Sequence, residues 1–157
     1  MKEKSDSCRK ESLELRIEGE VSKPVSFTVA DLRKMQSMEL HAIPLICYSG
    51  RVAEKKSSFK GVLLRDLLER ASIRCTDEKK RARLYLVAHA TDKHTAVFSF
   101  HEVFNSPARN SILAVYEKNG SPISSPEGMI ALLAASDLKT CCRYLKAVNR
   151  IEVIEAD

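Results

Sequence analysis

Phe59-Lys60-Gly61-Val62-Leu63-Leu64-Arg65-Asp66-Leu67-Leu68 sets an aromatic and a glycine ahead of two pairs of leucines. Leu63, Leu64, Leu67 and Leu68 recur at helical spacing, which predicts an amphipathic helix over Leu63–Ala71. Upstream lies Leu40 to Tyr48, an apolar and β-prone run that contains Pro44. Proline cannot donate to a ladder, so this run reads as an edge or irregular strand. It leads into Ile46-Cys47-Tyr48-Ser49-Gly50-Arg51, where a thiol is followed closely by Gly50 and Arg51.

Working outward, Leu13, Leu15 and Ile17 alternate with charged residues as in a half-buried strand. Gly19 and Lys23-Pro24 break it, and Val25 to Phe27 extend again. Thr28 with Asp31 forms a capping-box pattern for a short helix through Met35. Downstream, Leu84 to Ala90 and Thr95 to Phe100 are β-rich runs joined by Thr91-Asp92-Lys93-His94, a hairpin signal. Ile112 to Tyr116 predicts another strand before the Asn119-Gly120 turn. Met129 to Ala135 is continuously apolar, as in a buried strand, and Val148 to Ile154 alternates again. The class is therefore α+β, with mixed or antiparallel β-sheets and a few short helices. Met1 to Ser12 is polar and mixed in charge, which predicts a disordered N-terminal tail (1–12) before a folded domain (13–157).

With 157 residues the chain fits one domain, and 44% hydrophobic with 30% charged residues excludes a disordered or fibrous polymer. No apolar run approaches the roughly 18 residues of a membrane span. Lys plus Arg is 26 against 21 for Asp plus Glu, a net charge of +5 that suits a small anionic ligand. The densest charge, Asp77 to Arg83, has no interleaved aromatics; it reads as a solvated loop and not as a nucleic-acid surface. Cys8, Cys47, Cys75, Cys141 and Cys142 are odd in number and irregular in spacing, unlike a disulfide scaffold. They fit a reducing compartment or a thiol with a chemical task. Met1 to Ser12 holds no apolar signal core, so the expectation is cytoplasmic for the chain as given, or exported if a signal peptide was removed.

The cysteine strand end, the Gly-Arg loop and the aromatic-x-Gly-Val-x-Leu-x-Asp-Leu-Leu helix entry together resemble the oxidoreductase molybdopterin-binding domain of sulfite oxidases and related molybdoenzymes. The resemblance continues in the Leu86 to Asp92 hairpin, in Leu113-Ala114 with Gly120 and Pro122, and in Val148, Ile151 and Val153. It implies a sulfite oxidase-like fold with a molybdenum–molybdopterin cofactor. The implied reaction is oxygen-atom transfer on a small oxoanion or sulfoxide, with a redox partner protein. By this resemblance Cys47 is the molybdenum ligand, a soft thiolate suited to a metal already bearing sulfur. Arg51, just beyond it, is placed to attract an oxyanion, and Lys139, Thr140 and Arg143 correspond to the family's phosphate-binding loop.

The chain also departs from that pattern. A Gly-x-Pro-x-Arg segment is replaced by Gly128-Met129-Ile130-Ala131, and an Asp-Gly-Tyr hairpin by Asp92-Lys93-His94. These losses leave open a cofactor-less binding or accessory module that keeps the fold. His89, His94, His101 and Cys141-Cys142 supply zinc-ligand types without zinc-site spacing. Cys47 with His89 or His94 and Asp92 would be a thiol-hydrolase constellation if the fold brought them together.

Overall fold

The computed structural model describes residues 13–124 and 129–157. The chain opens with β1 (Glu14–Gly19), which buries Leu15 and Ile17 completely and turns Glu14 and Arg16 outward. β2 (Val25–Thr28) returns antiparallel and runs into α1 (Val29–Lys34). The predicted capping box is formed: the Asp31 amide donates to Thr28 Oγ1 at 3.2 Å, and the Thr28 amide to Asp31 Oδ2 at 2.9 Å. β3 (Met38–Ile46) and β4 (Val52–Leu63) make a long hairpin that delivers the chain to α2 (Leu64–Ala71). After α3 (Glu78–Arg83) come β5 (Leu84–Ala90) and β6 (Thr95–Ser99), then α4 (Phe100–Phe104). β7 (Ile112–Lys118), β8 (Ser121–Pro122), β9 (Ala131–Ala134) and β10 (Val148–Glu155) complete the order.

These strands form two sheets. The first has the order β2-β1-β10-β5-β6, with β1 and β10 parallel and the other pairs antiparallel. The second is antiparallel, in the order β3-β4-β7-β8, with β9 also paired to β7. The class is α+β with mixed and antiparallel sheets, as the sequence predicts. Pro44 lies in β3, an edge strand whose ladder slips near Leu40 and Ile43, so its missing donor interrupts no central pairing.

The continuously apolar runs have a simple cause. On β7, Ile112, Ala114 and Tyr116 enter a large core with α2 and the first sheet, while Leu113 and Val115 enter a smaller core on the opposite face. β9 divides in the same way, with Leu132 and Ala134 on one side and Ala131 and Leu133 on the other. A strand covered on both faces has no reason to alternate. At the entry to α2, Leu64, Leu67 and Leu68 fill the large core and Leu63 the small one, so one leucine cluster locks the two together.

Gly61 marks a close approach. A Cβ there would lie 2.1 Å from the Ala114 carbonyl oxygen, where the β4–β7 register slips between Lys60 and Gly61. Phe59 is fully buried two residues before and meets Tyr144 edge-on, with ring centroids 5.9 Å apart. The aromatic-x-Gly motif thus seats a ring in the small core and lets β7 press against the backbone beside it.

Asp77 to Arg83 requires a correction. It is α3 and not a loop: Asp77 caps it by accepting from the Lys80 amide at 2.8 Å, and the helix buries no residue. Its fastenings are ionic, Lys80 to Glu20 at 3.1 Å and Arg83 to Glu155 at 2.6 Å. A helix without an apolar face leaves no periodic signal. The Met1 to Ser12 segment lies outside the described residues, as does Gly128. Among the described residues no helix is long and apolar enough to cross a membrane.

Leu67→Ala should destabilise the fold by about 2–5 kcal/mol in chemical denaturation, the range for truncating a fully buried leucine. Gly61→Ala should cost about 3 kcal/mol or more, because the added methyl meets backbone and not a movable side chain. Losses of about 0.5 kcal/mol or less, typical of surface changes, would mean that these contacts are misassigned.

Candidate functional site

The β3–β4 hairpin closes on Cys47. The Gly50 amide donates to the Cys47 carbonyl at 2.9 Å, and the Cys47 amide to the Arg51 carbonyl at 2.9 Å. Gly50 has φ +91°, a left-handed conformation that favours glycine and explains its place in the turn. The turn folds Arg51 back so that its guanidinium donates to Cys47 Sγ at 3.4 Å. Lys139 lies over the same turn, its Nζ 3.6 Å from where a Cβ on Gly50 would sit.

A short 3₁₀ helix, Thr140–Arg143, packs against this strand end. The buried Thr140 hydroxyl accepts from the Ile46 amide at 2.8 Å and donates to the Pro44 carbonyl at 2.7 Å. These two hydrogen bonds of one hydroxyl satisfy backbone groups of the irregular edge strand. It also sets Cys141 beside Cys47, with the sulfurs 4.0 Å apart. Burial first, and then the neighbouring Cys47 and Cys142 sulfurs, push the Cys141 thiol above its ordinary range, while Lys146 opposes them.

Cys47 and Cys141 are half-buried and open onto a cavity of about 310 Å³. Arg51, Lys118 and Lys146 line it against Glu54 and Asp92, with His94 and Tyr144 completing much of the wall. Lys118 bonds Glu54 at 2.8 Å. This bond, then that from Ser57, holds the Glu54 carboxyl below its ordinary range despite partial burial. Glu54 therefore helps stability above the ordinary carboxylate pKa, and the contribution fades as pH falls through its lowered value. A broader depression of about 680 Å³ lies between α3 and α4, away from these thiols.

The phosphate candidates from the sequence divide. Lys139 lies beside the Cys47 turn, but Thr140 and Arg143 are engaged within the protein and do not line the cavity. Arg143 donates to Asp137 at 2.6 and 2.8 Å, to Glu102 at 2.6 and 3.1 Å, and to the Val97 carbonyl at 3.0 Å. Its guanidinium also stacks 4.3 Å from the centre of the Phe98 ring. Its pKa is held above the ordinary arginine value by Asp137 first and then Glu102, against the cost of burial. Arg143 is thus a clamp between the 3₁₀ segment and the α4–β6 corner.

The other constellations also resolve. Among the described residues no three His, Cys, Asp or Glu side chains gather into a metal-binding group. His94 and Asp92 do share the cavity with Cys47, and among the described residues the partners of its sulfur include Arg51 and Cys141. Cys141 as that partner, and Lys118 and Lys146 as cavity cations, were not predicted. The only advance signal was that Cys141 stands in the basic segment already singled out.

By sequence, residues 3–157 match the model of the oxidoreductase molybdopterin binding domain. The chain belongs to that family. No curated protein sequence matches it significantly. Among solved structures, the crystal structure of the sulfane dehydrogenase SoxCD from Paracoccus pantotrophus is similar, with a TM-score of 0.71 and 17% identity. The match covers 93% of this chain and 39% of that one, so the likeness establishes the fold of a domain within a longer relative.

Cys47 fits the metal end of such a cofactor: its soft sulfur faces open space, with cations on the same wall. Arg143→Met should destabilise the protein by about 1–3 kcal/mol at neutral pH, since it leaves Asp137 and Glu102 without their shared cation. Chemical denaturation checks it; a loss of about 0.5 kcal/mol or less would mean that these ion pairs add nothing to stability.

Proposed function

We propose that this chain is a molybdenum–molybdopterin oxidoreductase domain that transfers an oxygen atom to or from a small oxoanion or sulfoxide. The observation that supports this most is the Cys47 thiol on the wall of a cationic cavity, with Arg51 donating to its sulfur. Cys47 would hold the metal. When bound, the cofactor supplies a two-electron centre that carries the oxygen atom, and a redox partner protein renews its oxidation state.

The chain's own residues then have separable tasks. Arg51 is exposed at the mouth and presents its guanidinium, which suits an oxoanion or sulfoxide oxygen through paired donors. Lys146 is exposed on the same wall and Lys139 lies half-buried beside the Cys47 turn; both offer point charges to the pterin phosphate. Thr140 and Arg143 support the site from behind by fixing the 3₁₀ segment, so their contribution to binding is positional.

The engagement of Arg143 and Thr140 within the protein also favours a second reading, an accessory module that keeps the fold without the cofactor. Expression in a host that makes molybdenum cofactor, followed by metal and pterin analysis, separates the two. Near-stoichiometric molybdenum, abolished by Cys47→Ser with cooperative unfolding preserved, is the expected result. In titrations with isolated cofactor, Lys146→Ala should weaken binding about tenfold, or about 1.4 kcal/mol. Absence of molybdenum and pterin from the folded wild type would instead assign the accessory role.

A further inference from the structure

We propose that Cys47 and Cys141 are a reversible dithiol–disulfide pair, a thiol-exchange site for anionic low-molecular-weight disulfides of the glutathione class. Three observations carry it. The sulfurs already lie 4.0 Å apart, and each needs to move only about 1 Å to reach the S–S bond length of about 2.05 Å. The two segments bearing them are joined immediately before each cysteine, where Ile46 and Thr140 share a hydrogen bond of 2.8 Å. The pair faces a cavity with Arg51 and Lys146 on its wall, which suits an anionic disulfide.

The remaining thiols of the described chain are placed differently. Cys75 donates to the Asp77 carbonyl at 3.4 Å in the segment between α2 and α3, and Cys142 is exposed. Among the described residues, Cys47 and Cys141 are the thiols held against each other from separate parts of the chain.

The chemistry balances without any metal. The Cys47 thiolate attacks one sulfur of the external disulfide, forming a mixed disulfide and expelling a thiolate. Cys141 loses its proton to solvent and attacks the Cys47 sulfur; the protein S–S bond forms and the second thiolate leaves. Both expelled thiolates take up protons, so two protein thiols plus one disulfide become one protein disulfide and two free thiols. The protein loses two electrons and the external disulfide gains them. If Cys47 is the cofactor ligand, as argued above, closing this bond takes the ligand away, so oxidation would block loading of the site. That consequence rests on the cofactor reading, whereas the disulfide does not.

The test uses the reduced, metal-free chain in glutathione buffers of increasing oxidised fraction. Peptide mapping after alkylation should show a Cys47–Cys141 link that dithiothreitol removes. Cys47→Ser and Cys141→Ser should each stop at a glutathione adduct on the remaining thiol. Thr140→Val should slow ring closure about tenfold and Thr140→Ser should restore it, which separates positioning of the thiols from general loss of fold. Links mapped mainly to Cys75 or Cys142, or undiminished alkylation of Cys47 and Cys141 in the most oxidising buffer, would overturn the proposal. Isolated molybdenum cofactor is then offered to both forms, and uptake by the reduced form alone is expected. A mapped disulfide with no uptake by either form supports the dithiol and overturns only the cofactor reading.

Discussion

One buried hydroxyl organises the candidate site. Thr140 reaches from a short 3₁₀ segment into the end of the edge strand β3, satisfying the Ile46 amide and the Pro44 carbonyl together. A strand interrupted by proline and register slips needs partners for its backbone from outside the ladder. The partner chosen determines what comes to rest beside Cys47. Because Thr140 is followed by Cys141 and preceded by Lys139, the same bond delivers a second thiol and a cation to the first.

This arrangement works only if the 3₁₀ segment is itself held still. Arg143 does so from the other side, joining Asp137 on its own loop to Glu102 on α4 and to the carbonyl of Val97 on β6. Tyr144 packs its ring on Phe59 in the small core. The segment that carries Cys141 is thus pinned to the second sheet through Thr140 and Tyr144, and to the first through Arg143. The cavity lies at this junction, where β3, β4, β7 and the β5–β6 turn also contribute side chains. Loop residues gain precise placement from the two rigid sheets they bridge.

The small core and the large one impose a related constraint on β7 and β9. Both strands are covered on each face, so Ile112–Val115 of β7 and all of β9 are apolar, and β7 carries charge only at its end, in Glu117 and Lys118. Chemistry is thereby confined to strand ends and turns. Cys47 follows β3, Arg51 precedes β4, and Asp92 and His94 occupy the β5–β6 turn. The division between apolar sheet and reactive margin follows from burial.

The sequence by itself determined the alternation of β1 and β10, the leucine face of α2, the Thr28–Asp31 cap and the edge character of the Pro44 strand. Each depends on neighbours within a few residues, so periodicity and local chemistry suffice to read it. The motif around Cys47 and Phe59 to Leu68 likewise marked the family, since its parts are close along the chain. Other features were beyond such reading. The helical state of Glu78–Arg83 rests on ion pairs to Glu20 and Glu155, far away in sequence. Arg143 reads as a free cation until Asp137 and Glu102 are seen around it, and Thr140 as an open hydroxyl until β3 arrives. Only the tertiary structure decided that Cys141 meets Cys47, because a contact spanning 94 residues leaves no local trace and depends on how two sheets are closed together.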